Sequence, residues 1–474
     1  MSRASSDAIV HRIRDSEMLP RGLEPLFPLD RESVADTQIA WPMHKRFVSR
    51  LIAVFTLLAV LTTYDPLIVI PFCGMWISSL LDTPLMAAST WTGIHLFHLS
   101  GVAATQHPTD SRDTALGWTA LLLVSLTSLL IAMLWSALDA NRHHDEKIVV
   151  WARYILRIFL SFVMIRYGVG KIFPLQMSRP SLAVLNEPLG QSSPMTLLWT
   201  LVGLSPAYQI SSGVLEAISG VLLLFKRTAL VGALIGFIVM VNVTLLNLCF
   251  DVPVKLGALL ISFALTVIIA PDVPTLLRFF LKQAKAELFS LWEPQWRRQS
   301  SRNIAWVLQA IYVLCFVYFF VPSTYSAAHQ EAANRLAPSS LTGGWRVESA
   351  QIFRDAKPSD GPVLTAEGLP MTALYFEPDG RVMARSSDGR LWRAGATIDT
   401  IHRSVSLYSG YFKGVRFDAT YTYSQVDNDH IRLEPEGEEK ASHSTLLLTR
   451  MPEPHDYPLL QTPFRWVHEW ALER

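Results

Sequence analysis

Apolar runs of near-membrane length dominate the first two thirds of the chain. An α-helix rises about 1.5 Å per residue, so crossing a hydrocarbon core of ~30 Å takes about 20 apolar residues. Runs that meet or approach this length fall at 47–63, 115–138, 148–170, 208–225, 228–250, 254–270 and 303–322. Three other apolar pieces differ. The piece 66–80 contains Pro71 and Gly74 and reads as re-entrant or interfacial. The piece 192–204 reads as a short amphipathic helix ended by Ser205-Pro206. The stretch 273–283 sets Arg278 and Lys282 beside Phe279 and Phe280 and reads as a helix lying in the membrane interface.

After Val321-Pro322 the pattern changes. Residues 323–342 form a polar, Ala- and Ser-rich linker, and from Gly343 onward the period is two. In 415–423 apolar and polar side chains alternate, the mark of a half-buried antiparallel strand. Further strands are expected at 344–352, 371–377, 381–386, 390–394, 398–408, 429–434 and 443–450, with Asp379-Gly380 and Asp388-Gly389 as hairpin signals. The predicted fold class is an all-α polytopic membrane bundle of about seven transmembrane helices followed by a small antiparallel β-barrel or sandwich. The expected domains are a cytoplasmic tail 1–46, a helical domain 47–322, the linker, and a β domain 343–474. The aromatic end 463–474 reads as a short helix that closes the barrel or rests on the membrane.

Composition agrees with a bilayer environment: half of the residues are hydrophobic and mean hydropathy is +0.27. A net charge of +1 lacks the basic excess that nucleic-acid binding needs. Cys73, Cys249 and Cys315 all lie in apolar stretches, so the β domain has no disulfide framework and no thiol redox motif is visible. Residues 1–46 hold no apolar run and do not read as a signal peptide. Loop cations set an orientation. Lys45, Arg46 and Arg50, then Arg142 and Lys147, Lys226 and Arg227, and the cluster from Arg278 to Arg302 all fall on one side. The alternate loops carry only Arg112, Lys171, Arg179 and Lys255. The positive-inside rule then predicts a cytoplasmic N-terminus and an extracytoplasmic β domain.

The candidate chemistry lies where polar side chains interrupt apolar spans. A charge at mid-bilayer costs roughly 2.5–3.5 kcal/mol even on the lenient scale. Arg166 and Lys171 close the third span, Glu216 sits inside the fourth, Asn242 and Asn247 lie in the fifth, and Asp251 and Lys255 follow at its turn. With the orientation above they converge on the outer half of the membrane. The expectation is a pocket open to the outside, with Glu216 at its floor and Arg166 as its partner. Simpler roles stand beside this one. A Glu–Arg pair can lock two helices, Asn247 can form an interhelical hydrogen bond worth ~0.6 kcal/mol, and Lys171 and Lys255 can snorkel to headgroups. Arg153 and Arg157 sit one turn apart and read equally as interfacial anchors. His95, His98, His107, Asp110 and Asp113 cluster in one loop but match no strong zinc spacing, so no metal site is expected. No phosphate loop, HExxH, GxSxG, CxxC or CxxCH is present, and the seven spans contain no histidine for axial haem ligation.

One motif run carries a family resemblance. Arg166-Tyr167-Gly168-x-Gly170-Lys171 is followed by Gln176, then by Ser193-Pro194-Met195-Thr196-Leu197-Leu198-Trp199. Next come Gly213-x-x-Glu216 with Gly220, and Asn247-x-x-x-Asp251-x-Pro253-x-Lys255. This run resembles the DoxX-like integral membrane protein family over spans three to six, about 148–272. The preceding spans fit a wider group that includes the transmembrane part of vitamin K-dependent carboxylase-like proteins. The ending Phe464-Arg465-Trp466-Val467-x-Glu469 resembles a subgroup with a lipocalin-like outer domain. The resemblance implies a four-helix core and a bacterial inner-membrane (periplasm-facing) location. Some members are named for quinone-linked thiosulfate oxidation, which makes a quinone the implied ligand. On this reading Glu216, Arg166 and Lys171 are the catalytic candidates. Tyr167, Gln176, Trp199, Asn242, Asn247, Asp251 and Lys255 are the ligand-binding ones. Three functions remain open: an oxidoreductase or subunit acting on a quinone or small redox substrate, a lipid or small-anion binding or transport protein, and a non-catalytic assembly factor with a protein partner.

Overall fold

The computed structural model describes residues 41–68, 70, 74–100, 113–139, 145–282, 294, 296, 298–336, 341–354, 357–360, 371–377, 381–409, 419–436 and 445–452. The expectations for 1–40, His107, Asp110, Asp379-Gly380, 415–418 and 463–474 lie outside the described residues. The helices are α1 Met43–Tyr64, α2 Gly74–His95, α3 Ala115–Leu138, α4 Glu146–Ile172 and α5 Leu182–Leu185, followed by α6 Pro194–Leu204 and α7 Pro206–Leu224. After them come α8 Ala229–Cys249, α9 Lys255–Ile269, α10 Val273–Lys282 and α11 Gln299–Leu336. Among the described residues, seven helical segments are long and apolar enough to cross a membrane: α1, α3, α4, α7, α8, α9 continued into α10, and α11. Their outward faces carry Leu126, Leu130, Ile238, Leu245 and Phe319, exposed as contact with lipid requires.

Local sequence explains several boundaries. Ser193-Pro194 and Ser205-Pro206 start α6 and α7 in the same way. The serine hydroxyl accepts the amide of Thr196 or Tyr208, and proline takes the first helical position, where no amide partner is needed. Two expectations change. The second half of the piece expected to be re-entrant or interfacial, 74–80, opens α2, a 22-residue helix with Ser78, Ser79, Asp82 and Pro84 within it. Most of the expected linker is helical, because α11 continues through Pro322 to Leu336.

The bundle is centred on α4 and α7, whose backbones touch. A Cβ on Gly168 would lie 2.5 Å from the Gly213 carbonyl oxygen and 2.6 Å from the Ala217 amide nitrogen. A Cβ on Gly220 would lie 2.7 Å from the Ser161 oxygen. Small residues at this spacing are what let apolar helices meet without side chains between them. The α7–α8 contact repeats the device at Gly232, whose carbonyl accepts the Ser219 hydroxyl at 2.9 Å. At the end where α4 begins, buried ion pairs join the helices. Arg50 makes a two-pronged contact to Asp145 (2.7 and 3.0 Å) and reaches Asp139 at 3.1 Å. Arg153 pairs with Asp272 and donates to the Ile268 carbonyl at 2.8 Å. Arg153 and Arg157 are therefore both buried parts of the bundle rather than surface anchors.

The strands are β1 Gly343–Arg354, β2 Lys357–Asp360, β3 Met371–Phe376, β4 Arg381–Ser386, β5 Leu391–Asp399, β6 Ser404–Ser409, β7 Ala419–Gln425, β8 His430–Pro435 and β9 Thr445–Arg450. All pairings are antiparallel. Sequential pairing from β3 to β9, with β1 bonded to both β3 and β9, closes eight strands into a barrel, and β2 is a short flap on β1. Alternation fills the interior with Trp345, Phe376, Val405, Leu433 and Leu448. The Trp345 indole donates to the Leu341 carbonyl at 2.7 Å, and the Arg450 guanidinium lies 4.7 Å from its ring centre.

The strands expected at 390–394 and 398–408 are redrawn as β5 and β6. The turn falls at 400–403, where Asp399 Oδ1 accepts the amides of Ile401 and His402 at 2.9 and 3.0 Å. Asp427 closes the β7–β8 turn alike, and each aspartate also holds a histidine ring nitrogen at 2.7 Å (His402, His430). These hydrogen bonds lower both carboxyl pKa values and raise both imidazole values. Each histidine contributes stability below its unfolded pKa and loses it as pH rises through the higher folded value. Each aspartate contributes above its unfolded pKa and loses it as pH falls through the lower folded value. An NMR titration should therefore place both histidines above the ordinary ~6.5. A midpoint at or below that would contradict the turn geometry.

Candidate functional site

Close approach of α4 and α7 brings two charges together inside the bundle. Gly168 and Gly213 remove the side chains that would separate the helices, and one turn beyond Gly168 the Lys171 ammonium contacts Glu216 Oε1. Both side chains are buried, at 7% and 1% exposure. A buried pair offsets its desolvation only through good geometry and satisfied remaining valences. Here one valence is open: Glu216 Oε2 is buried and has no hydrogen-bond partner among the described residues. A carboxylate oxygen in that state costs about 1–3 kcal/mol or more and is ready to accept a donor.

Gln209 precedes Glu216 by two turns. At about 100° per residue it lies within ~20° of the same face of α7, roughly 10 Å nearer the helix start. It is buried, and with its amide oriented to satisfy both groups it donates to the Met177 carbonyl (2.9 Å) and accepts from the Met177 amide (3.3 Å). The Trp199 indole donates to the Gln176 carbonyl at 3.2 Å, and Gly203 of α6 lies against the Ser178 carbonyl. The segment after α4 is thus laid across α6 and the start of α7. Sequence reading missed Gln209. The available signal was its spacing from Glu216 within an otherwise apolar run.

The expected partnership with Arg166 is corrected. Arg166 is exposed, and Glu216 pairs with Lys171. Lys171 lies five residues beyond Arg166, about 7.5 Å along the helix and about 140° around it, so the two cations are on different faces. Tyr167, one turn before Lys171, packs edge-on against Tyr64 with ring centres 6.2 Å apart. Gln176 and Trp199 meet, through the glutamine backbone rather than its side chain.

The residues around α8 do not join the pair. Asn242 is exposed. Asn247 is buried and donates to the Val254 carbonyl at 3.4 Å, closing the α8–α9 turn. Asp251 is exposed at φ 51° and pairs with Lys255 at 2.7 Å across one turn, a contact worth no more than about 1 kcal/mol. Asp113 caps α9 from a distance, accepting the amides of Lys255 and Leu256 at 2.6 and 2.8 Å. His95 is exposed, stacks on Trp91 and contacts its carbonyl at 2.8 Å. Among the described residues no group of three or more His, Cys, Asp or Glu side chains is placed to hold a metal.

No family model and no solved structure matches the chain. A curated relative, the "Uncharacterized protein YwoB" of Bacillus subtilis (strain 168), is 35% identical over 99 residues, 21% of this chain. The chain covers 62% of that relative's length, and the relative's name carries no activity.

The ion pair has a stability signature. Lys171→Met or Glu216→Leu alone strands a buried charge and should lower unfolding free energy in detergent by about 3–5 kcal/mol. The double variant should lose clearly less than the sum of the two. Additive losses would contradict a direct buried contact.

Proposed function

We propose that this chain is an integral membrane protein that binds a quinone or a small redox molecule of like chemistry at Lys171 and Glu216, as an oxidoreductase or a subunit of one. The observation that carries this reading is the buried Glu216 Oε2, which has no hydrogen-bond partner among the described residues, beside the Lys171 ammonium. A quinol hydroxyl supplies the donor that oxygen lacks, and the ammonium suits a carbonyl or phenolate oxygen. The residues' part is to bind the ring oxygens, orient them and exchange a proton in a site closed to water, where such interactions are strongest. The DoxX-like motif run supports the same assignment, since it includes both members of the pair. The antiparallel barrel supports the lipocalin-like part of that resemblance. With the loop cations as guide, the N-terminus lies in the cytoplasm and the barrel outside a bacterial inner membrane.

A second reading, a non-catalytic lock between α4 and α7, is favoured by the direct contact of Lys171 with Oε1. One titration separates the two. Purified protein should bind a fluorescent or spin-labelled quinone analogue, and Glu216→Gln should weaken it about tenfold or more, the loss expected for a hydrogen bond to a charged group. Unchanged affinity in that variant, with lowered thermal stability, would support the lock and contradict the proposal.

A further inference from the structure

The segment 173–193 joins the helix of Lys171 to α6 and is laid as a strap across the start of α7, on the face that Glu216 shares two turns farther in. Its inner side is fixed by Met177 on Gln209 and by Gln176 on Trp199. Its outer side is fixed by the barrel. Along β3 and β4, Leu374, Phe376, Val382 and Ala384 point into the barrel, so Ala373, Tyr375, Met383 and Arg385 point out. Outward positions of a small barrel are normally solvated, yet here Ala373, Tyr375 and Met383 are buried beneath Leu182, Ala183 and Leu185 of the strap. Arg385 donates to the Ala183 and Asn186 carbonyls at 2.7 and 2.6 Å, the backbone oxygens that the one-turn helix α5 leaves open at its end. Glu377 accepts the Ala183 amide at 3.4 Å. Farther along, the Gln191 side chain fills the space beside Gly389 of the β4–β5 turn.

We infer that the barrel controls entry to the Lys171–Glu216 pair: α5 clamped on β3 and β4 holds the strap shut, and release of α5 opens the path from the aqueous face. The inference rests on the pair being the ligand site. Lys171 lies in the last turn of α4, directly before the strap, and both charges are buried while the strap is down. The clamp is polar at its rim and apolar at its centre, so it can be weakened from either side without touching the pair.

The test is chemical access to Glu216 in the full-length protein. A water-soluble carbodiimide with a small polar amine labels exposed carboxyls, and peptide mass spectrometry reads Glu216. Labelling should be slow in the wild type. It should rise about tenfold or more in Arg385→Ala, which removes two hydrogen bonds from a charged donor. Ala183→Asp puts a carboxylate into the apolar contact from the strap side and leaves the barrel's own sequence unchanged, and it should act alike. Amide exchange on the same samples should rise across 173–193 and stay at the wild-type level across β3 to β9. Wild-type labelling in Ala183→Asp with the strap amides released would overturn the inference. So would a rise seen only with an apolar carbodiimide, since that route runs through the bilayer. The labelling requires no quinone, so loss of the ligand reading and loss of the clamp are distinguishable.

Discussion

Two opposite charges can sit inside an apolar bundle only if they sit together. A lone ammonium or carboxylate at that depth would neutralise or move out. Everything at the candidate site follows from this constraint and from the glycines that meet it. Gly168 and Gly213 bring the α4 and α7 backbones to contact distance, and only there can Lys171 and Glu216 satisfy each other. The chain leaves α4 directly after this contact, and the strap that follows bears on the barrel.

The two ends of the bundle treat charge differently. Where α4 begins, Arg50 spends its donors on Asp139, Asp145 and the Trp135 carbonyl. That network ties α1, α3 and α4 together. At the barrel end, Glu216 keeps an oxygen with no donor among the described residues. Groups fully engaged with their own protein belong to stability, and a buried acceptor left open is where a ligand can add a bond. The surroundings agree. Gln209, Trp199 and Gly203 secure the backbone of 176–178 and leave Glu216 one donor short.

Much of the architecture was legible in the sequence because it rests on periodicity. All seven spans and most strands follow from apolar run length and from alternation. The departures have physical causes. The β5–β6 turn was misplaced because Asp399 makes it with its side chain rather than with an Asp-Gly pair. Helix α11 runs past Pro322 to Leu336 because the polar stretch 326–336 is rich in the strong helix formers Ala, Gln, Glu, Arg and Leu. At the site, sequence gave depth but not direction. Arg166 and Lys171 lie about 7.5 Å apart along α4, and helix phase, set by Gly168 facing α7, turns Lys171 and not Arg166 inward. Asn242 and Asn247 divide for the same reason, being five residues apart on α8. Asp113 was grouped with neighbouring histidines, whereas its carboxylate serves a helix start 142 residues away in the chain.

The most direct measurement is cross-linking of the pair in native membranes. Lys171→Cys with Glu216→Cys should be bridged by a thiol-specific bifunctional reagent about as long as the two side chains it replaces, while Arg166→Cys with Glu216→Cys should not. Cross-linking through position 166, or none through position 171, would contradict the account.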